Sequence, residues 1–225
     1  MNNFLELNNI SKTFKTDKKI KVLNNLSYNF KKGKIYSLMG PSGSGKSTLL
    51  NIISLIDKPS LGLIKFQNNL IDLNDNKKND IFRSKHIGIV YQQNNLLPDF
   101  TALENIYLAS LALNNDKDLA ILKAKNLLKK IGLSNRANNF PSELSGGEAQ
   151  RVSIARAIVN DPSIILADEP TGSLDINTAK IIFRLLKEQK TADRLIIFAT
   201  HNRFFANKAD CLLELTDGSI KSFNA

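Results

Sequence analysis

Apolar positions recur along the chain with two rhythms, and the order in which they alternate predicts the fold. "FLELNNI", "LSYNF" and "LIKFQ" alternate or cluster apolar residues over short distances, with turn residues between them, as half-buried strands do. From Ile35 onward the rhythm changes. "KIYSLMG" reads as a strand running into a glycine-rich turn, and "KSTLLNIISLI" then reads as a helix that stops before Pro59. Compact apolar runs follow at "IGIVY", "SIILAD" and "RLIIFAT", and unbroken runs of this kind suit parallel strands covered on both faces. Between the first two the spacing is helical: "DLAILKAKNLLKKIG" sets Ala120, Ala124, Leu127, Leu128 and Ile131 on one stripe, with Gly132 as a stop. Asp217-Gly218 in "LTDGSIKSF" predicts a tight hairpin. Strand, loop and helix in this order predict an α/β protein with a helical lobe inserted into its sheet domain.

Composition narrows the class without deciding it. The 225 residues are enough for one sizeable core, and no apolar run approaches the roughly 20 residues that a membrane-spanning helix needs. "MNNFLELNN" has no basic segment followed by an apolar stretch, so no secretory signal is expected. Cys211 is the only cysteine, which excludes an intramolecular disulfide and fits a reducing compartment. The net charge of +10 comes from scattered lysines; no basic block is long enough for a nucleic-acid arm, and no nucleic-acid partner is expected.

The candidate chemistry starts with "GPSGSGKST": Gly40, Pro41, Ser42, Gly43, Ser44, Gly45, Lys46, Ser47 and Thr48. The stretch fits G-x-x-x-x-G-K-[ST] between a predicted strand and a predicted helix, the context in which such a loop turns its backbone N–H groups around phosphate oxygens. Lys46 would bridge the β- and γ-phosphates of ATP, and the Ser47 hydroxyl would ligate Mg²⁺. In "SIILADEP", Asp168 ends an apolar strand, where a carboxylate can hold Mg²⁺, and Glu169 can polarise a water for attack on the γ-phosphate. Gln92 and His201 also end predicted strands. Such residues are usually only solvated, but beside a γ-phosphate Gln92 would reach Mg²⁺ or the attacking water, and His201 would hold phosphate and water in register.

"ELSGGEAQRVSIARAI" poses a separate problem. Ser145 and Glu148 form the capping box of a helix whose first turn is occupied by the poor helix formers Gly146 and Gly147. Bare N–H groups, a positive helix end and a hydroxyl make a second anion site, yet the chain already has one for its own nucleotide. The simplest use is on another molecule's nucleotide, in a head-to-tail homodimer enclosing two ATP molecules.

Taken in order, "GPSGSGKST", Gln92, "LSGGE", "ILADEP", "SLD" and His201 resemble the ATP-binding subunits of ABC transporters over nearly the whole chain. The resemblance implies a P-loop RecA-like core with an antiparallel β subdomain over 1–91 and 161–225, and a helical subdomain over about 92–160. It implies that Ser145, Gly146 and Gly147 face a partner's γ-phosphate, that Ser173 to Asp175 lie at the interface, and that Phe14 stacks on adenine. "LLPDFTALENI", "FPSELSGGEAQR" and "ADEPTGSLD" are similar to the lipoprotein-releasing branch of that family, with the macrolide-exporter and cell-division types as relatives. A peripheral ATPase on the cytoplasmic face of the inner membrane, bound to integral permease subunits, is what that resemblance implies. The chain departs from the family pattern at Asn202, usually Asp, and at Ala149, usually glutamine or arginine, and its "QNN" run after Gln92 differs from the histidine-bearing run of the lipoprotein-releasing branch.

Overall fold

The computed structural model describes residues 4–15, 19–113 and 115–224. The chain divides into two units, Met1–Asp80 with Lys190–Ala225, and Ile81–Gln189.

The first unit holds an antiparallel sheet in which β1 (Leu5–Lys15) lies between β2 (Lys19–Phe30) and β4 (Leu61–Phe66), with the short β5 (Asn69–Leu70) beyond β4. Leu5, Leu7, Ile10, Leu23, Leu26 and Ile64 all turn inward and are buried. The pairing of β1 with β2 slips between Leu7 and Ile10 and again between Ile10 and Lys12, and Asn9 and Asn25 take positive φ of 54° and 48° there. Serines satisfy the N–H groups that leave the ladder: Ser27 Oγ accepts from Asn9 N, and Ser11 Oγ accepts from Asn25 N, both at 2.9 Å.

The same unit contains β3 (Ile35–Met39), flanked by β8 (Leu195–Ala199) and β9 (Cys211–Thr216), both parallel to it. β10 (Ser219–Asn224) returns antiparallel on β9 through Asp217 and Gly218 at φ 52° and 72°, the two positive values of a tight hairpin. β8 is buried at every residue, as its unbroken apolar run requires.

α1 (Lys46–Ile53) is shorter than its sequence pattern, which continues through Ile56. Leu55 adopts φ 60°, Leu55 N donates to Ile52 O at 3.1 Å, and Ile56 N donates to Asn51 O at 3.0 Å. The helix therefore ends in a Schellman motif with leucine at the left-handed position that glycine usually fills. Leu55 is buried, so packing of its side chain offsets part of the backbone strain.

The second unit includes most of α2 (Asn76–His86), a helix with almost no apolar periodicity that the sequence pattern did not predict; its one buried residue is Asn79. β6 (Ile87–Val90) pairs in parallel with β7 (Ile164–Asp168). Around a core of Ala102, Ile106, Ala124, Leu128, Val152 and Ala155 pack α3 (Ala102–Leu111), α4 (Lys117–Lys130) and α5 (Gly146–Ile158). The predicted stripe on α4 is buried at Ala120, Ala124 and Leu128, with Leu127 half-buried, and Gly132 terminates it at φ 71°. α6 (Ile176–Lys187) buries Ala179, Ile182, Phe183 and Leu186, one helical stripe.

One carboxylate joins two elements of the first unit. Asp210, just before β9, accepts from Ile35 N at 2.7 Å and from Lys190 Nζ at 2.7 and 2.8 Å. Burial by itself would raise its pKa; the Lys190 ammonium and the Ile35 N–H outweigh burial and hold it below the ordinary carboxylate value. The folded state thus favours the ionised form, and the stabilisation present at neutral pH is lost as pH falls through the folded pKa. Asp210→Asn is expected to lower stability by about 1 kcal/mol at pH 7 in urea unfolding, a difference that shrinks below about pH 4. A gap that stayed constant down to pH 3 would rule out the charge as its origin.

Candidate functional site

In the first unit, the loop between β3 and α1 is the first candidate anion site. Gly45 is the N-cap of α1 at φ 100°, a backbone conformation that glycine adopts without strain, and no side chain caps the N–H groups of the first turn. Ser44 Oγ is buried with no hydrogen-bond partner. An orphaned hydroxyl beside uncapped helix N–H groups fits a bound polyphosphate, the ligand that would satisfy both. Lys46 Nζ folds back onto the carbonyls of Gly40 (2.8 Å) and Pro41 (3.0 Å), which holds the ammonium against the loop. Ser47 and Thr48 occupy the first turn of the helix, and Ser42 and Gly43 form the exposed tip of the loop.

His201 follows β8 and is exposed. Thr200 N donates to Leu38 O at 3.1 Å, and Thr200 Oγ1 accepts from Asn202 N at 3.1 Å, so the turn bearing His201 is tied to β3. Asn202 does locally what aspartate would do: it is the N-cap of α7 (Arg203–Ala206), its Oδ1 accepting from Phe204 N at 2.9 Å. A cleft of about 510 Å³ is lined by Gly40, Pro41, His201, Arg203 and Glu214, which joins His201 to the start of the phosphate-type loop. Phe14 lies on β1, 40% exposed, with Lys12 Nζ 5.0 Å from its ring centroid.

In the second unit, Asp168 ends β7 half-buried, and Glu169 follows at φ 45°, a left-handed value that costs a non-glycine residue about 1–2 kcal/mol. Gly172 N donates to Glu169 O at 3.0 Å and closes the turn that holds this conformation. A methyl group built on Gly172 would lie 3.1 Å from Gln92 Nε2 and 3.5 Å from Glu169 Cβ, so the Gln92 amide and Glu169 flank the same small residue. Sequence reasoning gave Gly172 no part in this; its place between two polar groups shows only in three dimensions.

The capping box of the second candidate anion site is built as its sequence predicts. Ser145 Oγ accepts from Glu148 N at 3.3 Å and donates to Glu148 Oε2 at 2.9 Å, while Ser145 N donates to the same oxygen at 2.8 Å. These bonds to the Ser145 backbone and hydroxyl, with the Arg136 guanidinium 3.1 Å away, hold the Glu148 carboxyl below its ordinary pKa. Asp175 caps α6 by accepting from Asn177 N (3.0 Å) and Thr178 N (3.1 Å), and bonds to Thr178 lower its pKa likewise. Ser145, Gly146, Gly147, Ser173 and Asp175 line one cleft of about 370 Å³. Arg136 and Thr178 escaped sequence reasoning, since each acts through a contact distant in the chain.

Thr178 explains one of the two glycines. A Cβ on Gly147 would lie 2.4 Å from Thr178 Cγ2, far inside contact distance, whereas one on Gly146 would meet nothing nearer than 3.6 Å. Gly147→Ala is expected to destabilise the chain by about 1–3 kcal/mol in urea unfolding through this overpacking, and Thr178→Ser in the same chain should restore most of the loss. An unrescued double variant would show that the clash with Thr178 is not what keeps glycine at this position.

Residues 23–172 match the family model described as "ABC transporter". The lipoprotein-releasing system ATP-binding protein LolD of Rickettsia bellii is 43% identical over 97% of this chain and 98% of its own. That of Wigglesworthia glossinidia brevipalpis is 42% identical over the full length of both. Among solved structures, the dimeric post-hydrolysis state of an ATP-binding cassette bound to ADP and Pi superposes with a TM-score of 0.90, at 38% identity over 98% of each chain. The family model spans the phosphate-type loop, the capping-box glycines and the Asp168-Glu169 turn, and the superposed cassette covers nearly the whole chain: the chain belongs to the ABC transporter family, as one of its ATP-binding cassettes.

Proposed function

We propose that this chain is the ATP-hydrolysing subunit of a transporter that releases lipoproteins from the inner membrane, working as a head-to-tail homodimer with two ATP molecules between the copies. The observation that carries the reading is the presence on one chain of two helix starts, each suited to receive an anion. The loop at Gly40 to Thr48 has an orphaned hydroxyl and uncapped N–H groups, and Ser145 to Gly147 open a second helix into the cleft that Ser173 and Asp175 also line. One cassette needs only one such site for its own nucleotide. The near full-length identity to LolD proteins of 43% and 42% supports lipoprotein release as the pathway.

In this reading Lys46 and the loop N–H groups hold the β- and γ-phosphates, and Phe14 stacks on adenine. Ser47, Gln92 and Asp168 each carry an oxygen donor suited to a hard cation such as Mg²⁺, which would neutralise charge at the phosphates. Glu169 accepts a proton from the attacking water, and His201 hydrogen-bonds the γ-phosphate. Ser145, Gly146 and Gly147 donate to the γ-phosphate held by the partner copy, with Glu148 fixing the serine rotamer. Closure on ATP and reopening on hydrolysis lever integral permease subunits. No helix among the described residues is long and apolar enough to cross a membrane, which suits a peripheral subunit on the cytoplasmic face of the inner membrane.

Glu169→Gln removes the base while keeping the amide volume. It is expected to bind ATP-Mg²⁺, to turn over about 100-fold more slowly than the parent, and to accumulate as a dimer in light scattering. A monomer at saturating ATP-Mg²⁺ would sink the sandwich. Trapping native membrane complexes with the same variant tests the pathway: permeases that carry lipoprotein are expected, and a macrolide exporter or a division protein in their place would keep the ATPase and overturn the cargo.

A further inference from the structure

α5 holds more than its own first turn. Gln150, 2% exposed, donates from Nε2 to Tyr91 O at 3.1 Å. Two turns further along, the Arg156 guanidinium donates from Nη2 to Asn94 O at 2.8 Å and from Nη1 to Asn95 O at 2.6 Å. These three carbonyls bracket Gln92. The segment that follows β6 has no regular ladder or helix of its own, so side chains from α5 accept the task of satisfying its backbone. Asn95 stands at φ 47°, a left-handed value that asparagine tolerates better than most residues.

The residue types at the two α5 positions are costly ones. Burial disfavours the Arg156 charge and pushes its pKa down from the usual value, so an apolar side chain of similar length would sit there more cheaply if packing were all that mattered. What the guanidinium adds is a forked pair of donors that can grip two consecutive carbonyls at once. Ser145 and Arg156 are separated by eleven residue steps of one helix, about 17 Å along its axis.

We infer that Gln150 and Arg156 are positioning residues, which clamp the backbone around Gln92 to the helix whose first turn is the Ser145 to Gly147 anion site. α5 then acts as a rigid bar. A nucleotide engaged at its N-terminal end constrains, through Tyr91, Asn94 and Asn95, where the Gln92 amide stands beside Gly172 and Glu169. The inference rests on the proposed part of Gln92 in hydrolysis.

A double-mutant cycle in the full-length chain tests it. Arg156→Met is expected to lower kcat about tenfold with KM changed less than about twofold, yet to change kcat less than about twofold in a Gln92→Ala chain, because a residue acting only through Gln92 has nothing left to position. Amide hydrogen exchange at residues 93–97 should rise in Arg156→Met while that of α5 stays as it was. Equal fold-losses of kcat in both backgrounds, or unchanged exchange at 93–97, would overturn the clamp. If Arg156→Met does not fold, Gln150→Leu enters the same cycle with the same expectations. Gln92→Ala alone separates the two levels of the argument: full turnover in that chain would refute the reading of Gln92, and exchange at 93–97 would then decide whether the clamp exists.

Discussion

The approach of α6 to the first turn of α5 is the constraint on which the second unit depends. Thr178 Cγ2 stands where a side chain at position 147 would begin, so the backbone of α5 can only start there bare. Everything polar around it follows from that bareness. A helix opening with two glycines has low intrinsic stability, and the chain compensates with a reciprocal capping box, an Arg136 ion pair on the capping carboxylate, and burial of Val152 and Ala155 further along. The ion pair is partly exposed and contributes little by itself; its geometric effect on Glu148 matters more.

Where side-chain patterns and backbone needs coincide, the sequence was legible. The strand-loop-helix of the phosphate-type loop, the parallel apolar runs, the Asp217-Gly218 hairpin and the Ser145 capping box all carry their signals within a few residues. α2 gave no such signal, because a helix with little buried surface has no stripe to reveal it. The early end of α1 was hidden for a different reason: leucine at a left-handed C-terminal position looks like one more apolar helical residue until its backbone angle is seen. Gln92, Asp168, Glu169 and His201 stand at or within two residues of the ends of β6, β7 and β8, so the strand pattern points to them, whereas Thr178, Gly172 and Arg156 act across the fold and leave no local trace.

Strain is concentrated at one point of the candidate site. Glu169 carries a left-handed backbone at the end of a buried strand, held by the bond from Gly172 N to its carbonyl. Backbone strain of this kind persists only where surrounding packing over-determines it, and β7 provides that packing with Ile164 to Ala167 fully buried. The carboxylate is therefore aimed by the main chain as well as by its rotamer.

The asparagines at positive φ have a consequence outside the native structure altogether. Asn25, Asn68 and Asn95 fill left-handed positions that glycine would fill with less strain. A glycine there would leave the folded molecule almost unchanged, but it would enlarge the set of conformations open to the denatured chain and so raise the entropy that folding must overcome. At these bends, asparagine confines the denatured ensemble.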